Sequence, residues 1–199
     1  VADYSVLLRA ALVNLDRWVV EGIEPPPSRH PRLADGTAVA PDRLGVVFAR
    51  IPAAPYPAHH ARPRRLDWTH LPPAPGRPFG SLVSAVDTDG NEVAGIVLPE
   101  IAVPLAAHTG WNLRHPDIGG AEQLLVFAGA TIPFAPTRAQ REAAGDPRPS
   151  IAERYPSRTA YLDRVRAAAL ALVRDGYLLE EDIALSVAAA ARLWDHFTR

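Results

Sequence analysis

The sequence predicts an irregular α+β chain: an N-terminal helix, a Pro-rich wrapping segment, a β-hairpin and a group of C-terminal helices. Three observations lead there. Apolar residues recur at three-four spacing at both ends of the 199-residue chain but not in its middle. Thirteen of the 21 prolines fall between Pro25 and Pro78, where they remove backbone donors and fix φ. Between these regions, β-rich runs flank an Asp-Gly pair, a strong hairpin signal.

The first helix is expected to start near residue 3. Tyr4, Leu7, Leu8, Ala11, Leu12, Leu15, Trp18 and Val19 mark the face it should bury. Gly22 suits the left-handed position after the last turn, and Pro25, Pro26 and Pro27 block continuation. Residues 23–80 read as a connection wrapped over a core, because Tyr56, Leu66, Trp68, Leu71 and Phe79 are unusual in a solvated linker. A short strand is expected at Val46–Phe48. Residues 81–98 read as the hairpin, turning at Asp87-Thr88-Asp89-Gly90-Asn91. Two further apolar runs, Ile101–Ala107 and Leu124–Ala128, have strand length. Pro104 makes the first an edge strand or an irregular segment.

The last third is helical and well punctuated. Thr137 with Gln140, and Ser150 with Glu153, have the spacing of capping boxes. Gly145 ends the first of these helices. Ser157 caps a longer one that stops at Gly176, and a final helix runs from about Asp182 to Phe197. The organisation is therefore residues 1–22, 23–80 and 81–199.

Composition removes several functions. Lys plus Arg is 21 against 22 Asp plus Glu, so no basic excess points to nucleic acid. No apolar run approaches the ~20 residues of a spanning helix, and no membrane partner is expected. Without cysteine there are no disulfides, thiolate ligands or thiol nucleophiles. All the basic residues counted are arginine. There is no methionine, and the chain opens at Val1 inside a helical pattern, which suggests a piece of a longer polypeptide.

The motifs give little chemistry. Asp87 to Glu92 resembles part of a calcium loop but lacks the distal bidentate Glu, so a plain turn is expected. His59, His60 and His70 have neither helical nor strand ligand spacing, and no metal is assigned. No Gly-x-Ser-x-Gly elbow, dinucleotide fingerprint or phosphate loop occurs, so no cofactor is assigned. Ser81, Ser84, His108 and His115 are the residues from which a triad would have to be drawn. Two segments stand out. Thr109-Gly110-Trp111-Asn112-Leu113-Arg114 offers a stacking face and several directional donors, either as a pocket wall or as a turn whose Trp plugs the core. Trp111 suits the plug, Asn112 and Arg114 a polar pocket; Thr109, Trp111, Asn112 and Arg114 are the candidate substrate-binding residues. Asp146, Arg148 and Arg154 read as a structural ion-pair network.

Longer strings resemble a known family. Leu15-Asp16-Arg17-Trp18-Val19-Val20-Glu21-Gly22, followed by Pro25-Pro26-Pro27-Ser28-Arg29-His30-Pro31, is similar to a segment of the bacterial α/β hydrolase domain-containing proteins. So are the strings Val86–Ile96, Thr109–Arg114 and Gly145–Tyr155, in the same order. A more distant likeness is to tannase-type esterases. The resemblance implies the C-terminal portion of an α/β-hydrolase fold, with residues 1–22 as the last core helix. It implies a small-molecule ester substrate. It also places the nucleophilic serine, and a histidine shortly before the first helix, upstream of Val1. No catalytic residue then maps onto this chain, whose partner is the hydrolase core of the same polypeptide. The rival expectation is a stand-alone, non-catalytic binding or interaction domain. A metal-dependent enzyme using the loop histidines is a third. The sequence gives no compartment.

Overall fold

Helix α1 spans Ser5–Glu21 and ends as expected, with Gly22 at φ 73° donating its N–H to the Trp18 carbonyl. The computed structural model describes residues 3–54, 56–59, 63–125 and 127–199. The face that α1 buries is not the one its apolar spacing predicted. Val6 and Ala10 are buried, whereas Tyr4, Leu8, Leu12, Leu15, Trp18 and Val19 are exposed, Leu12 at 67%. The rest of the chain meets the helix along the line Val6–Ala10–Asn14. Asn14 Nδ2 donates to the Gly176 carbonyl at 2.8 Å, and Arg9 pairs with the buried Asp182 at 3.0 Å. The Pro25–Ser28 segment and Tyr177 face the Leu15–Trp18 end of the larger apolar face across a cavity of about 340 Å³, while Leu8, Leu12 and Val19 point to solvent.

The Pro-rich segment meets the body at Pro27, Arg29 and Tyr56, but Leu66, Trp68, Leu71 and Phe79, expected to lie on a core, are exposed. The Tyr177 hydroxyl donates to the Pro27 carbonyl at 2.5 Å. Arg29 stacks on the Tyr177 ring at 4.4 Å and reaches Asp175 at 2.8 Å. Strand β1 (Ala38–Val39) follows. The strand expected at Val46–Phe48 is instead helix α2, Asp42–Phe48. Two β-branched valines suggested a strand, but Leu44, Phe48 and Ile51 are buried at helical spacing. Asp42 in the first turn complements the helix dipole. A hairpin of β2 (Arg64–Asp67) and β3 (Ala74–Pro78) then projects largely into solvent. The prolines hid it from sequence reading, yet an isolated two-stranded ribbon is all edge and tolerates them.

The hairpin expected over residues 81–98 is present in reduced form. It closes through one bridge, Val86–Glu92, while β4 (Val83–Ser84) pairs with β1. After the short helix α3 (Pro99–Ala102), the run broken by Pro104 yields β5 (Ala106–Thr109). β5 pairs antiparallel with β6 (Ala130–Pro133), from Ala106 opposite Pro133 to Thr109 opposite Ala130. In the run Leu124–Ala128 the described residues make only the bridge Leu113–Leu124, and position 126 lies outside them.

Both capping boxes form. Thr137 and Gln140 open α4 (Arg138–Ala143), and Ser150 and Glu153 open α5 (Ile151–Arg154). Ser157 caps α6 (Arg158–Arg174), and α7 spans Ile183–Phe197. The core has three parts. Val6, Leu98, Leu172 and Ile183 join α1, α6 and α7. Leu105, Phe134, Tyr155, Tyr161 and Val165 form a second cluster. Leu44, Phe48, Ala107 and Ile132 form a third beneath α2 and the β5–β6 pair.

The turn at residues 87–91 is drawn into this core rather than left at the surface. Asp87 Oδ1 accepts from the N–H groups of Asp89 and Asn91, each at 2.9 Å. Gly90 has φ 93°, and a Cβ there would stand 3.0 Å from both Ile51 and Phe48. Asn91 is 2% exposed. Its Nδ2 donates to the Ala106 carbonyl at 3.1 Å, and its Oδ1 accepts from the His108 N–H at 2.9 Å. The side-chain amide thereby replaces a neighbouring strand along the open edge of β5. Asn91→Ala leaves two buried backbone groups unpaired and is expected to cost about 2–4 kcal/mol. Thr88→Ala, at an exposed position of the same turn, is expected to stay within about 0.5 kcal/mol of wild type. Urea melts of both variants check the contrast.

Candidate functional site

Three aromatic rings build the site. Trp111 meets Phe48 edge-on at 4.7 Å and Tyr56 at 5.5 Å with the planes 87° apart. Tyr56 is fixed by donating its hydroxyl to the Pro41 carbonyl at 2.6 Å. Beside the Tyr56–Trp111 corner lies a cavity of about 210 Å³, walled further by Leu44, Val83, Val86 and Leu124, with Ser84, Glu92 and His108 as its polar side chains. α2, β4, the 87–91 turn and β5 each supply part of the wall.

His108 is the half-buried titratable group here. Burial pushes its pKa below the ordinary histidine value. Its Nδ1 stands 3.4 Å from Thr131 Oγ1, a long contact for a hydrogen bond. The neutral imidazole can donate or accept, but no serine hydroxyl hydrogen-bonds a histidine among the described residues. Ser84 Oγ is instead directed to the Ala85 carbonyl at 3.4 Å, and His115 is exposed beside Asp117.

The four sequence-predicted residues are adjacent but do not share one surface. Trp111 is half-buried and lines the cavity, serving as both plug and wall. Thr109 donates to the Trp111 carbonyl at 2.6 Å and accepts from the Ala130 N–H at 3.1 Å, holding the turn to β6. Asn112 lines a cleft of only about 30 Å³ on the other side of Trp111, and its Oδ1 accepts from the Leu113 N–H. Arg114 lines neither space. Its guanidinium donates to the carbonyls of Gly119 at 2.9 Å and Ile118 at 3.1 Å. Sequence reasoning missed Tyr56 and the wall from α2. The one signal was an aromatic residue inside the Pro-rich stretch.

The other motifs resolve into structure. The carboxylates of the 87–91 turn are engaged: Asp87 holds backbone, and Asp89 meets Arg154 at 2.5 Å. Arg154 makes that contact through one nitrogen and donates Nε to the Pro149 carbonyl, so the pair is not bidentate. Asp146 and Arg148 form a buried pair at 2.7 Å, and Arg148 also donates to the carbonyls of Ile132 and Pro133. Burial opposes the Asp146 carboxylate, but the Arg148 hydrogen bonds outweigh it and hold its pKa below the usual range. His59 lies beside Glu122 and His70 beside Asp67, both exposed, and His60 lies outside the described residues. Among the described residues no cluster of three or more His, Asp or Glu is placed to hold a metal ion.

The depressed His108 pKa sets a direction for stability against pH. Protonation favours the unfolded chain, so the neutral form's contribution is full above the unfolded value of about 6.5. It is lost as pH falls from there toward the lower folded value. Denaturant midpoints measured from pH 7.5 to 5 are expected to fall, and His108→Gln is expected to flatten that slope.

Residues 2–188 match the family described as alpha/beta hydrolase domain, which covers nearly the whole chain. No curated protein and no solved structure matches it significantly. The matched span takes in α1, the 87–91 turn, the aromatic cavity and all the C-terminal helices up to the first part of α7. Mixed helices and small antiparallel sheets, with this match, settle the assignment: the chain belongs to the alpha/beta hydrolase domain family.

Proposed function

We propose that this chain is the C-terminal, non-nucleophile-bearing portion of an esterase-like α/β hydrolase. In this reading α1 packs its open face on the catalytic core of the same polypeptide, and the Trp111 cavity faces a small-molecule ester. The observation that carries it is the exposure of Leu8, Leu12, Leu15, Trp18 and Val19 on one face of α1. Leaving a large apolar side chain in water forgoes ~1.5–3 kcal/mol, which a continuous helix face invites a partner to recover. Thr109, Asn112 and Arg114 then hold the Trp111 turn in shape, and Trp111 contacts substrate. A stand-alone binding domain is the second reading, favoured by a cavity whose aromatic walls are already assembled within this chain.

Two measurements test the proposal. The purified chain is expected to hydrolyse p-nitrophenyl esters no faster than background; turnover abolished by a serine-directed phosphonate overturns it. The double variant Leu8→Gln, Leu12→Gln is expected to move the unfolding free energy by no more than about 1 kcal/mol, because both residues are exposed. Sedimentation velocity is expected to show less self-association than wild type. An equal association state argues against an interface on α1. Deleting residues 1–22 is a poorer test, since it also removes the buried Val6, Ala10 and the Arg9–Asp182 pair.

A further inference from the structure

We infer that the Tyr56–Trp111 cavity binds a neutral, single-ring aromatic group carrying one hydrogen-bonding substituent, as in a phenyl or benzyl ester. The inference rests on the proposed hydrolase reading only in treating that group as part of a substrate. Size is the first argument. A cavity of ~150 Å³ lined by apolar side chains accommodates benzene, and about 210 Å³ leaves room for a small substituent. Shape is the second. Phe48 lies nearly parallel to Tyr56, at 5.8 Å and 11°, and edge-on to Trp111, so the three rings form one aromatic wall, and its Tyr56 and Trp111 members give the cavity a surface on which one more ring can pack. Both walls are held in advance, Trp111 by the edge of Phe48 and Tyr56 by its bond to the Pro41 carbonyl. The ligand therefore does not have to order them.

Charge is the third argument. Burial disfavours the imidazolium form of His108, so the histidine offers hydrogen bonding without a fixed positive charge. Its backbone N–H is already taken by Asn91, and the weak Thr131 contact lies at Nδ1. Nε2 has no hydrogen-bond partner among the described residues. The one carboxylate lining the cavity, Glu92, is exposed and repels an anion. A phenolic hydroxyl or an ester oxygen fits these groups, and a carboxylate does not.

The test uses the whole 199-residue chain and phenol, benzoate and cyclohexanol as probes. The readout is the ring ¹H–¹³C resonance of His108, identified by its loss in His108→Gln. Phenol is expected to shift that resonance saturably in the millimolar range. Benzoate is expected to bind at least about tenfold more weakly, and cyclohexanol several-fold more weakly. Ser84→Leu, which adds bulk to the cavity wall, is expected to abolish the shift while the near-ultraviolet circular dichroism stays native. Should that variant misfold, the ranking of the three probes on the wild-type chain decides. A non-saturating phenol titration, or benzoate binding as well as phenol, overturns the inference. Neither result depends on turnover. An ester-inactive chain that binds phenol leaves the inference intact, and an active chain that does not bind phenol sinks it alone.

Discussion

The Phe134 ring, 1% exposed, is approached by two guanidinium groups, Arg154 at 4.1 Å and Arg148 at 4.9 Å. The rest of the structure depends on this contact. Each arginine is paired, Arg154 with Asp89 and Arg148 with Asp146. Through Arg154 the 87–91 turn is fastened to α5. Through Arg148 the 146–150 loop is fastened to β6. The turn then sets Asn91 against β5, and β5 carries His108 and leads into Trp111. An apolar cluster and the wall of the cavity are thus coupled by two ion pairs, one buried at Arg148–Asp146 and one mostly buried at Arg154–Asp89.

Helical regions were legible in the sequence because their signals are local. Gly22, Thr137 with Gln140, Ser150 with Glu153, Ser157 and Gly176 each act within a few residues, and each marks a helix end where expected. The middle of the chain was not legible in the same way. At Val46 and Val47 β-propensity was overridden by burial of Leu44 and Phe48 on one side of α2, with Ile51 in the turn after it. Strand β6 needs β5 as its partner, more than twenty residues away, and nothing local announces it. For the site, Trp111 was visible as an odd residue in a polar turn. Tyr56 and the cavity were not, because they arise from packing between α2, β4 and β5. The exposed face of α1 shows a further limit: periodicity tells that a face is apolar, not which element covers it.

Family membership and geometry lead to a divided picture of the chain. One side of α1 belongs to its own core through Val6 and Ala10, while the other presents leucines and a tryptophan outward. The Pro25–Pro27 strap closes over Tyr177 at the end of α6 and so fixes the angle at which α1 leaves the body. The open face and the aromatic cavity are thus carried by different parts of one packed body.

Arg148 and Asp146 lie two residues apart in sequence and are both buried. This proximity bears on the order in which the protein assembles. An ion pair closed over so short a loop costs very little chain entropy. The pair, with the backbone N–H of Arg148 also bonded to Asp146 Oδ1, is thus available as a preformed neutral unit before β6 and α5 come together. What enters the core is a compact zwitterion already satisfied on most sides, not two separate ions that must find each other in a dry interior. The arginine-only basicity of this chain suits that route, because a guanidinium paired with Asp146 still has donors for the Ile132 and Pro133 carbonyls.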